Sequence, residues 1–120
     1  MGRDGPRIKL RLEYDAPLVL GPGKADLLRL IARHGSISAA GRHMGMSYKR
    51  AWSLVEELNR AFVHPLVDSS RGGPGGGGAI VTPTGQEVLR RYESLERLVA
   101  DGGAADLAAI GALMKRGNDA

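Results

Sequence analysis

The sequence has 120 residues, a size that suits one folded domain, and 42% of them are hydrophobic. It contains no cysteine, which excludes disulfides, thiolate catalysis and cysteine-ligated metal centres. It shows no run of about 18 apolar residues and no apolar segment near the N-terminus, which argues against a membrane span and a secretory signal. We therefore expect a protein of the cytoplasm.

The charge is unevenly distributed along the chain. The formal net charge is +4, yet no acidic residue lies between Asp26 and Glu56, a stretch that carries Arg29, Arg33, Arg42, Lys49 and Arg50. The part of the chain after Gly76 is nearly neutral by comparison. A basic block inside a balanced chain is typical of a surface that faces a polyanion, although a solvated basic face without a partner explains the charge equally well.

The first elements are predicted from hydrophobic spacing. Residues 7–14 alternate apolar and charged side chains, which predicts a half-buried strand, and residues 18–20 predict a short returning strand. A break at residues 21–23 precedes a helix over residues 22–34 with an apolar face, and Gly35 is expected to end it.

The next stretch has the pattern of two helices joined by a tight turn. Ser38 is expected to cap a short helix to about residue 44, Gly45 supplies the turn, and Ser47 caps a longer helix to about Phe62. An apolar stripe on the longer helix faces a core, and small residues let the two helices approach closely: Ala39, Ala40 and Gly41. Residues 36–62 therefore predict a helix-turn-helix.

A glycine-rich hairpin and two further helices follow. Two short strands at residues 66–69 and 79–82 flank six glycines within residues 70–78, which predicts a wing over residues 66–82. Thr84, with Glu87 three residues later, predicts a capping box for a helix to about residue 100. After a break at residues 101–103, an alanine-rich helix is expected over residues 104–115.

The predicted fold is mainly α with a small β component. It is a winged helix-turn-helix domain over residues 1–100, with an N-terminal β-hairpin and C-terminal dimerisation helices, of which residues 101–120 form the last. The second helix of the motif can offer its N-terminal end to the major groove of DNA, where amides, hydroxyls and cationic side chains meet phosphates and base edges. The expected DNA-binding residues are Ser38, Arg42, His43, Ser47, Tyr48, Lys49, Arg50, Ser53, Arg71, Gly72 and Gly73.

Several of these residues have a plainer interpretation. Trp52 could belong to the core and pack against Tyr48, one turn away. The three histidines lack the spacing of a metal site and are expected at the surface. Arg29 and Arg33 could simply solubilise the first helix. No catalytic constellation, metal site or cofactor motif is present in the sequence, so we do not expect an enzyme.

A second apolar stripe suggests how two copies could associate. Side chains at helical spacing in the last two helices form a candidate dimer interface: Val88, Tyr92, Leu95, Val99, Leu107, Ile110 and Leu113. The alternative is that the helix carrying Val88, Tyr92, Leu95 and Val99 packs only on its own domain.

The residues of the motif also carry a resemblance. The run from Gly35 to Trp52, GSISAAGRHMGMSYKRAW, resembles the N-terminal DNA-binding domain of the molybdate-responsive ModE-type regulators. Downstream, residues 57–59, 71–73 with the glycine tract, and 82–85 look like the same family's wing and following helix, and the resemblance covers roughly residues 8–100. It is more distantly similar to LysR-type regulators.

The resemblance implies a transcriptional repressor or activator of molybdenum- or metal-related genes, acting as a homodimer on a palindromic operator in double-stranded DNA. By matching position it gives Ser47, Tyr48, Lys49, Arg50 and Ser53 the groove-facing role and Arg71 the wing role. The family senses molybdate through a separate C-terminal domain, which we do not expect in a chain ending at residue 120. This leaves room for a separate molybdate-binding partner. The alternative function is a winged-helix protein-interaction module that binds no DNA directly.

Overall fold

The computed structural model describes residues 6–15, 17–69 and 78–115. Within these ranges the chain is mainly helical, with two small antiparallel hairpins. The elements, in chain order, are β1 (Leu12–Tyr14), β2 (Leu18–Leu20), α1 (Pro22–His34), α2 (Ile37–His43), α3 (Tyr48–Ala61), β3 (Val67–Asp68), β4 (Ile80–Val81), α4 (Pro83–Gly102) and α5 (Ala104–Ala112). The predicted fold class is confirmed.

The N-terminal hairpin is shorter than its sequence pattern predicts. β1 pairs with β2 in antiparallel register, with Leu12 opposite Leu20 and Tyr14 opposite Leu18. The returning strand has only three residues before the chain turns into α1 at Gly21, so the alternating residues before Leu12 have no strand to pair with. The predicted strand over residues 7–14 is therefore wrong in its first half.

Helix α1 has the predicted bounds. Pro22 stands in its first turn, where the missing amide hydrogen costs nothing. Gly35 ends the helix in the left-handed region at φ 68°, which glycine adopts without strain, and its N–H donates to the Ile31 carbonyl oxygen at 2.8 Å.

Two predicted helix caps are displaced by two residues. Ser36, not Ser38, caps α2: its backbone is extended and its Oγ accepts a hydrogen bond from the Ala39 N–H at 3.0 Å. Thr82, not Thr84, caps α4, and its Oγ1 accepts from the Gly85 N–H at 3.0 Å.

The displaced cap of α4 also removes the predicted capping box. Pro83 follows Thr82 and occupies the first helical turn, which suits its fixed φ and places Thr84 inside the helix. The Glu87 carboxylate pairs with Arg91 at 3.0 Å, on the same helix, instead of reaching back to the cap.

One core joins the elements from β2 to α4. Seventeen described residues form this cluster of buried side chains, the largest of which are Tyr92, Leu27, Leu28, Ile31, Leu58, Leu66 and Val55. The core lies between α1, α3, the two strands of the wing (β3 and β4) and the first half of α4. It therefore holds the helices of the helix-turn-helix in fixed positions.

The end of the described chain extends away from this core. No residue of α5 is buried, and the helix ends at Ala112 rather than at Lys115 as predicted. The Cα radius of gyration is 17.4 Å, whereas a compact chain of this length has about 14 Å. We call residues 93–113 the arm, because they project beyond the domain.

Candidate nucleic-acid interface

Helices α2 and α3 cross at a contact that requires small side chains. A Cβ atom built on the buried Gly41 would lie 3.1 Å from the Ala51 Cβ, which is tighter than ordinary van der Waals contact. Gly45 takes φ 71° in the turn between the helices, and the Met46 N–H donates to the Gly41 carbonyl oxygen at 3.0 Å. These local constraints fix the direction of α3 relative to α2.

The N-terminal end of α3 is exposed and positively charged. Ser47 caps the helix, with its Oγ accepting from the Arg50 N–H at 3.0 Å. Tyr48, Lys49, Arg50 and Ser53 are all exposed, and no acidic residue stands in the first turn. The partial positive charge of a helix N-terminus adds to the two cationic side chains at this end.

Lys49 and Arg50 are available to an external anion. Within residues 6–15, 17–69 and 78–115, no carboxylate lies within ion-pair distance of either side chain. The acidic residues of α3 come later, and Glu57 pairs with Lys24 at 3.3 Å on the side facing α1. The first turn of α3 is therefore cationic and free of ion pairs, and the carboxylates of the helix lie about two turns further along.

Two aromatic rings shape the first turns of α3. The rings of Tyr48 and Trp52 are stacked, with centroids 6.4 Å apart and planes inclined by 17°. Trp52 is half-buried against the core, whereas Tyr48 is 56% exposed. Trp52 thus has the core role considered above, and it supports Tyr48 at the surface.

The α2 residues of the predicted site lie beside this end of α3. Arg42 is exposed, and its Nη1 donates to Ser38 Oγ at 2.9 Å, one turn earlier. The exposed His43 ring stacks on His34 at the end of α1, with centroids 4.2 Å apart. Desolvation, with the neighbouring charges of His43 and Arg33, lowers the pKa of His34. The neutral form of His34 is therefore favoured.

The three predicted wing residues, Arg71, Gly72 and Gly73, lie outside the described residues. The described flanks bring β3 and β4 together, with Val67 opposite Val81. The Ala79 N–H donates to the Gly35 carbonyl oxygen at 2.9 Å, and Ser36 bridges Gly78. The returning strand of the hairpin is therefore anchored beside the start of α2.

Asn59 is a structural residue of this site that sequence reasoning missed. Its Oδ1 accepts from the Leu66 N–H at 2.8 Å and the Val67 N–H at 3.1 Å, and its Nδ2 donates to the Val67 carbonyl oxygen at 3.0 Å. The side chain thus ties β3 to the last turns of α3. The asparagine sits on the half-buried side of an amphipathic helix, and only its contacts with a later strand distinguish it.

The predicted dimer residues separate into two groups. Tyr92 is 1% exposed and donates its hydroxyl to the Leu10 carbonyl oxygen at 2.7 Å, so it belongs to the core of its own domain and its predicted place in a dimer interface is wrong. Val88 is half-buried against the same core. The more exposed members lie on the arm: Leu95, Val99, Leu107, Ile110 and Leu113.

Arg29 does more than solubilise α1. Its guanidinium contacts three carboxylates, those of Asp26, Glu93 and Glu96. Burial acts to lower the pKa of Arg29, but the hydrogen bond to Glu93 and the three negative charges outweigh it and raise that pKa. The side chain is a permanent cation that joins α1 to α4.

The described residues contain no cluster of three or more His, Asp and Glu side chains that could hold a metal ion. No described helix is both long and apolar enough to cross a membrane.

The fold and the exposed cationic helix end define a class: a winged helix-turn-helix regulator module. The model for the bacterial regulatory helix-turn-helix proteins of the lysR family matches residues 24–86, more than half of the chain. The chain belongs to this family, which is a family of regulators and not of enzymes.

Individual relatives are similar over the same region. The chain is 43% identical over 81 residues to the molybdenum-pterin-binding protein MopB of Rhodobacter capsulatus, a match that covers 68% of this chain and 30% of MopB. It is 40% identical over 91 residues to the DNA-binding transcriptional dual regulator ModE of Escherichia coli K12, covering 76% of this chain and 35% of ModE. The chain thus spans about a third of these relatives.

A solved structure supports the fold. The crystal structure of VV2_1132, a LysR family transcriptional regulator, superposes with a TM-score of 0.54 at 20% identity, covering 72% of this chain and 27% of that one. At this level of identity the likeness concerns the fold alone.

Proposed function

We propose that this chain is a sequence-specific DNA-binding transcriptional regulator of molybdenum-related genes, and that it binds a palindromic operator as a homodimer. The observation that carries the proposal is the N-terminal end of α3, where Lys49 and Arg50 are exposed and unpaired within the described part of the chain. The link to molybdenum rests on the names of the relatives, among them a ModE regulator and a molybdenum-pterin-binding protein.

The groove-facing roles follow from chemistry and position. Arg50 can donate two hydrogen bonds to the O6 and N7 acceptors of guanine, and Lys49 can reach the same acceptors or a phosphate. Tyr48, Ser47 and Ser53 can donate to phosphate oxygens, which would fix the depth of the helix in the groove. Arg42 and His43 of α2 would meet the flanking backbone, and Ser38 would hold Arg42 in position. Arg71, Gly72 and Gly73 would reach the adjacent groove from the wing.

The homodimer is proposed from the arm. Leu98 is 66% exposed, Ile110 62% and Leu113 88%, and no residue of α5 is buried. Large exposed apolar side chains on a projecting helix pair are typical of an interface between subunits. A two-fold axis through two arms would place two α3 helices on successive turns of a duplex, about 34 Å apart, and each half of a palindrome would meet one of them.

The test is a comparison of two arginines on one helix. Duplexes that the chain retains are selected from a random pool, and affinities are measured by fluorescence anisotropy. Arg50→Ala should weaken binding to the selected site by about 1–3 kcal/mol, roughly 5- to 150-fold. Arg60→Ala is the control, because Arg60 is an exposed arginine in the last turn of α3, about 15 Å along the axis. The control should bind like the unchanged chain, and equal affinities of all three proteins would contradict the proposal.

Salt dependence separates this function from a winged-helix module that binds only proteins. A DNA reader should show a linear fall of log K with log salt, with a slope of about −0.9 for each phosphate contacted. No binding to any duplex at about 50 mM salt would favour the protein-binding module. Light scattering after size exclusion tests the dimer separately, and a monomer at tens of micromolar would remove it.

A further inference from the structure

Arg29 holds two distant parts of the chain together. Its Nε donates to Glu93 Oε2 at 2.7 Å and its Nη2 to Glu96 Oε1 at 3.3 Å, while its Nη1 donates to Asp26 within α1. The arginine side chain is only 32% exposed and the Glu96 side chain 27%, so water screens these contacts less than it screens a fully exposed pair. The three contacts fix the orientation of the guanidinium plane.

These contacts lie where α4 leaves the domain. The first half of α4 is held by the core, by the close approach of Gly85 to the Leu66 backbone and by the buried Tyr92. Beyond Tyr92 the helix shows exposed residues on most of its surface: Ser94, Leu95, Arg97, Leu98 and Val99. Arg29 pairs with the two residues of this stretch that face α1, so it is the last charged tether between the arm and the domain in the described part of the chain.

The same arginine is connected to α3, the recognition helix, through the packing of α1 on α2 and of α2 on α3. Helix α1 packs on α2, and α2 crosses α3 at the tight contact of Gly41 and Ala51. Arg29 and α1 therefore fix the angle between the arm and the axis of α3. In a dimer formed by two arms, that angle sets the distance between the two α3 helices.

We propose that Arg29 is a positioning residue that fixes the angle of the arm, and thereby the separation of operator half-sites that the dimer accepts. This inference rests on the proposed function, because it needs a dimer formed through the arm. No direct contact between Arg29 and DNA is involved.

The geometry makes the spacing sensitive to this angle. The ten residues from Tyr92 to Gly102 span about 15 Å of helix. A tilt of roughly 13° about Tyr92 displaces the end of the helix by about 3.4 Å, the rise of one base pair in a duplex that repeats every 34 Å or so. Two arms tilt in a symmetric dimer, so the effect on the separation of the half-sites is larger still.

The first test measures spacing preference in the full chain. Duplexes are prepared in which the two half-sites of the selected operator have the optimal spacing, or a spacing that is one or two base pairs longer or shorter. The affinities of the chain for these duplexes are compared. The unchanged chain should prefer one spacing by about 10-fold, a discrimination of the size that a single wrong base pair produces. Arg29→Met should reduce this preference to under about 3-fold, with the affinity for an isolated half-site unchanged.

Arg91→Met is the matched control. Arg91 lies close to the same region, and its ion pair with Glu87 stays within α4. Its replacement by methionine removes the same charge as Arg29→Met without breaking a contact between the arm and the domain. It should keep the spacing profile of the unchanged chain. An unaltered profile in Arg29→Met would overturn the proposal, as would an equal flattening in both variants.

A second test needs neither DNA nor a dimer. The chain has no cysteine, so spin labels can be placed at the exposed positions Glu56→Cys in α3 and Asp101→Cys in α4, and the distance between them measured by pulsed electron resonance. Labelled chain is diluted with unlabelled chain, so that each distance lies within one subunit. Arg29→Met should broaden the distance distribution, and Arg91→Met should leave it unchanged. If the chain binds no DNA but the distance distribution of Arg29→Met is broadened, the proposed function fails and the positioning role of Arg29 stands. An unchanged distribution in Arg29→Met would overturn the positioning role itself.

Discussion

Asn59 offers a quantitative prediction because its side chain satisfies three backbone groups. Replacement by alanine removes the partners of the Leu66 N–H, the Val67 N–H and the Val67 carbonyl oxygen, and both residues are buried, with 0% and 2% exposure. An unsatisfied buried polar group costs about 1–3 kcal/mol. The Asn59 side chain is itself half-buried and water can reach part of the gap, so we take the lower end for each group and expect a loss of about 3 kcal/mol.

The assay is urea denaturation followed by circular dichroism, at one protein concentration because a dimer makes stability concentration-dependent. Arg60→Gln is the control: it changes an exposed neighbouring side chain of the same helix and leaves the three contacts of Asn59 in place, so it should cost under about 0.5 kcal/mol. In thermal melts the alanine variant should unfold on the order of 10 °C lower. A loss below about 0.5 kcal/mol for Asn59→Ala, or an equal loss for both variants, would refute the reasoning.

Three further predictions concern single positions. Gly85→Ala should destabilise the fold by about 1–3 kcal/mol, because its Cβ would collide with the Leu66 backbone and the Val81 side chain, whereas Gly102→Ala, with open space around it, should cost nothing in the same denaturation assay. Ser36→Ala should cost about 1 kcal/mol by loss of the α2 cap and Ser38→Ala under about 0.5, and the reverse order would show that the cap is misassigned. The pKa of His34 should lie below 6.5 by proton NMR titration; because protonation is disfavoured in the folded state, stability should decrease as the pH falls through 6.5, and His34→Gln should reduce that decrease.

Local signals in the sequence were sufficient for the helices that carry the site. Helix α1 is recognisable from its proline, its apolar face and its terminal glycine, and α3 from Ser47 and the spacing of its buried residues. The exposure of Lys49 and Arg50 follows from the same periodicity, because Lys49 stands opposite the stripe that meets the core and Arg50 stands beside it.

The caps could not be chosen from the sequence because two hydroxyl residues compete at each. Ser36 and Ser38 both offer an acceptor at the start of α2, and Thr82 and Thr84 at the start of α4. The choice depends on which residue has the extended backbone. In α2 this is set by the strand bridge of Ser36 to Gly78, and in α4 by the Pro83 ring.

Contacts between residues far apart in the sequence were the other feature that could not be predicted. Tyr92 fits an exposed apolar stripe by spacing, but the N-terminal segment covers it and takes its hydroxyl as a donor, 82 residues away in sequence. Arg29 is separated from Glu93 by 64 residues, and no periodic pattern links the two. Such contacts depend on how the helices pack, which the order of residues alone does not specify.

The central claim is that the N-terminal end of α3 enters a DNA duplex. The chain is small, 12.7 kDa, so the backbone amides can be followed by proton–nitrogen NMR while a selected duplex is added. We predict the largest chemical-shift changes at Tyr48, Lys49 and Arg50, with small changes along the arm. Unchanged amides at these three positions, in a complex whose formation is proved by another signal, would contradict the account.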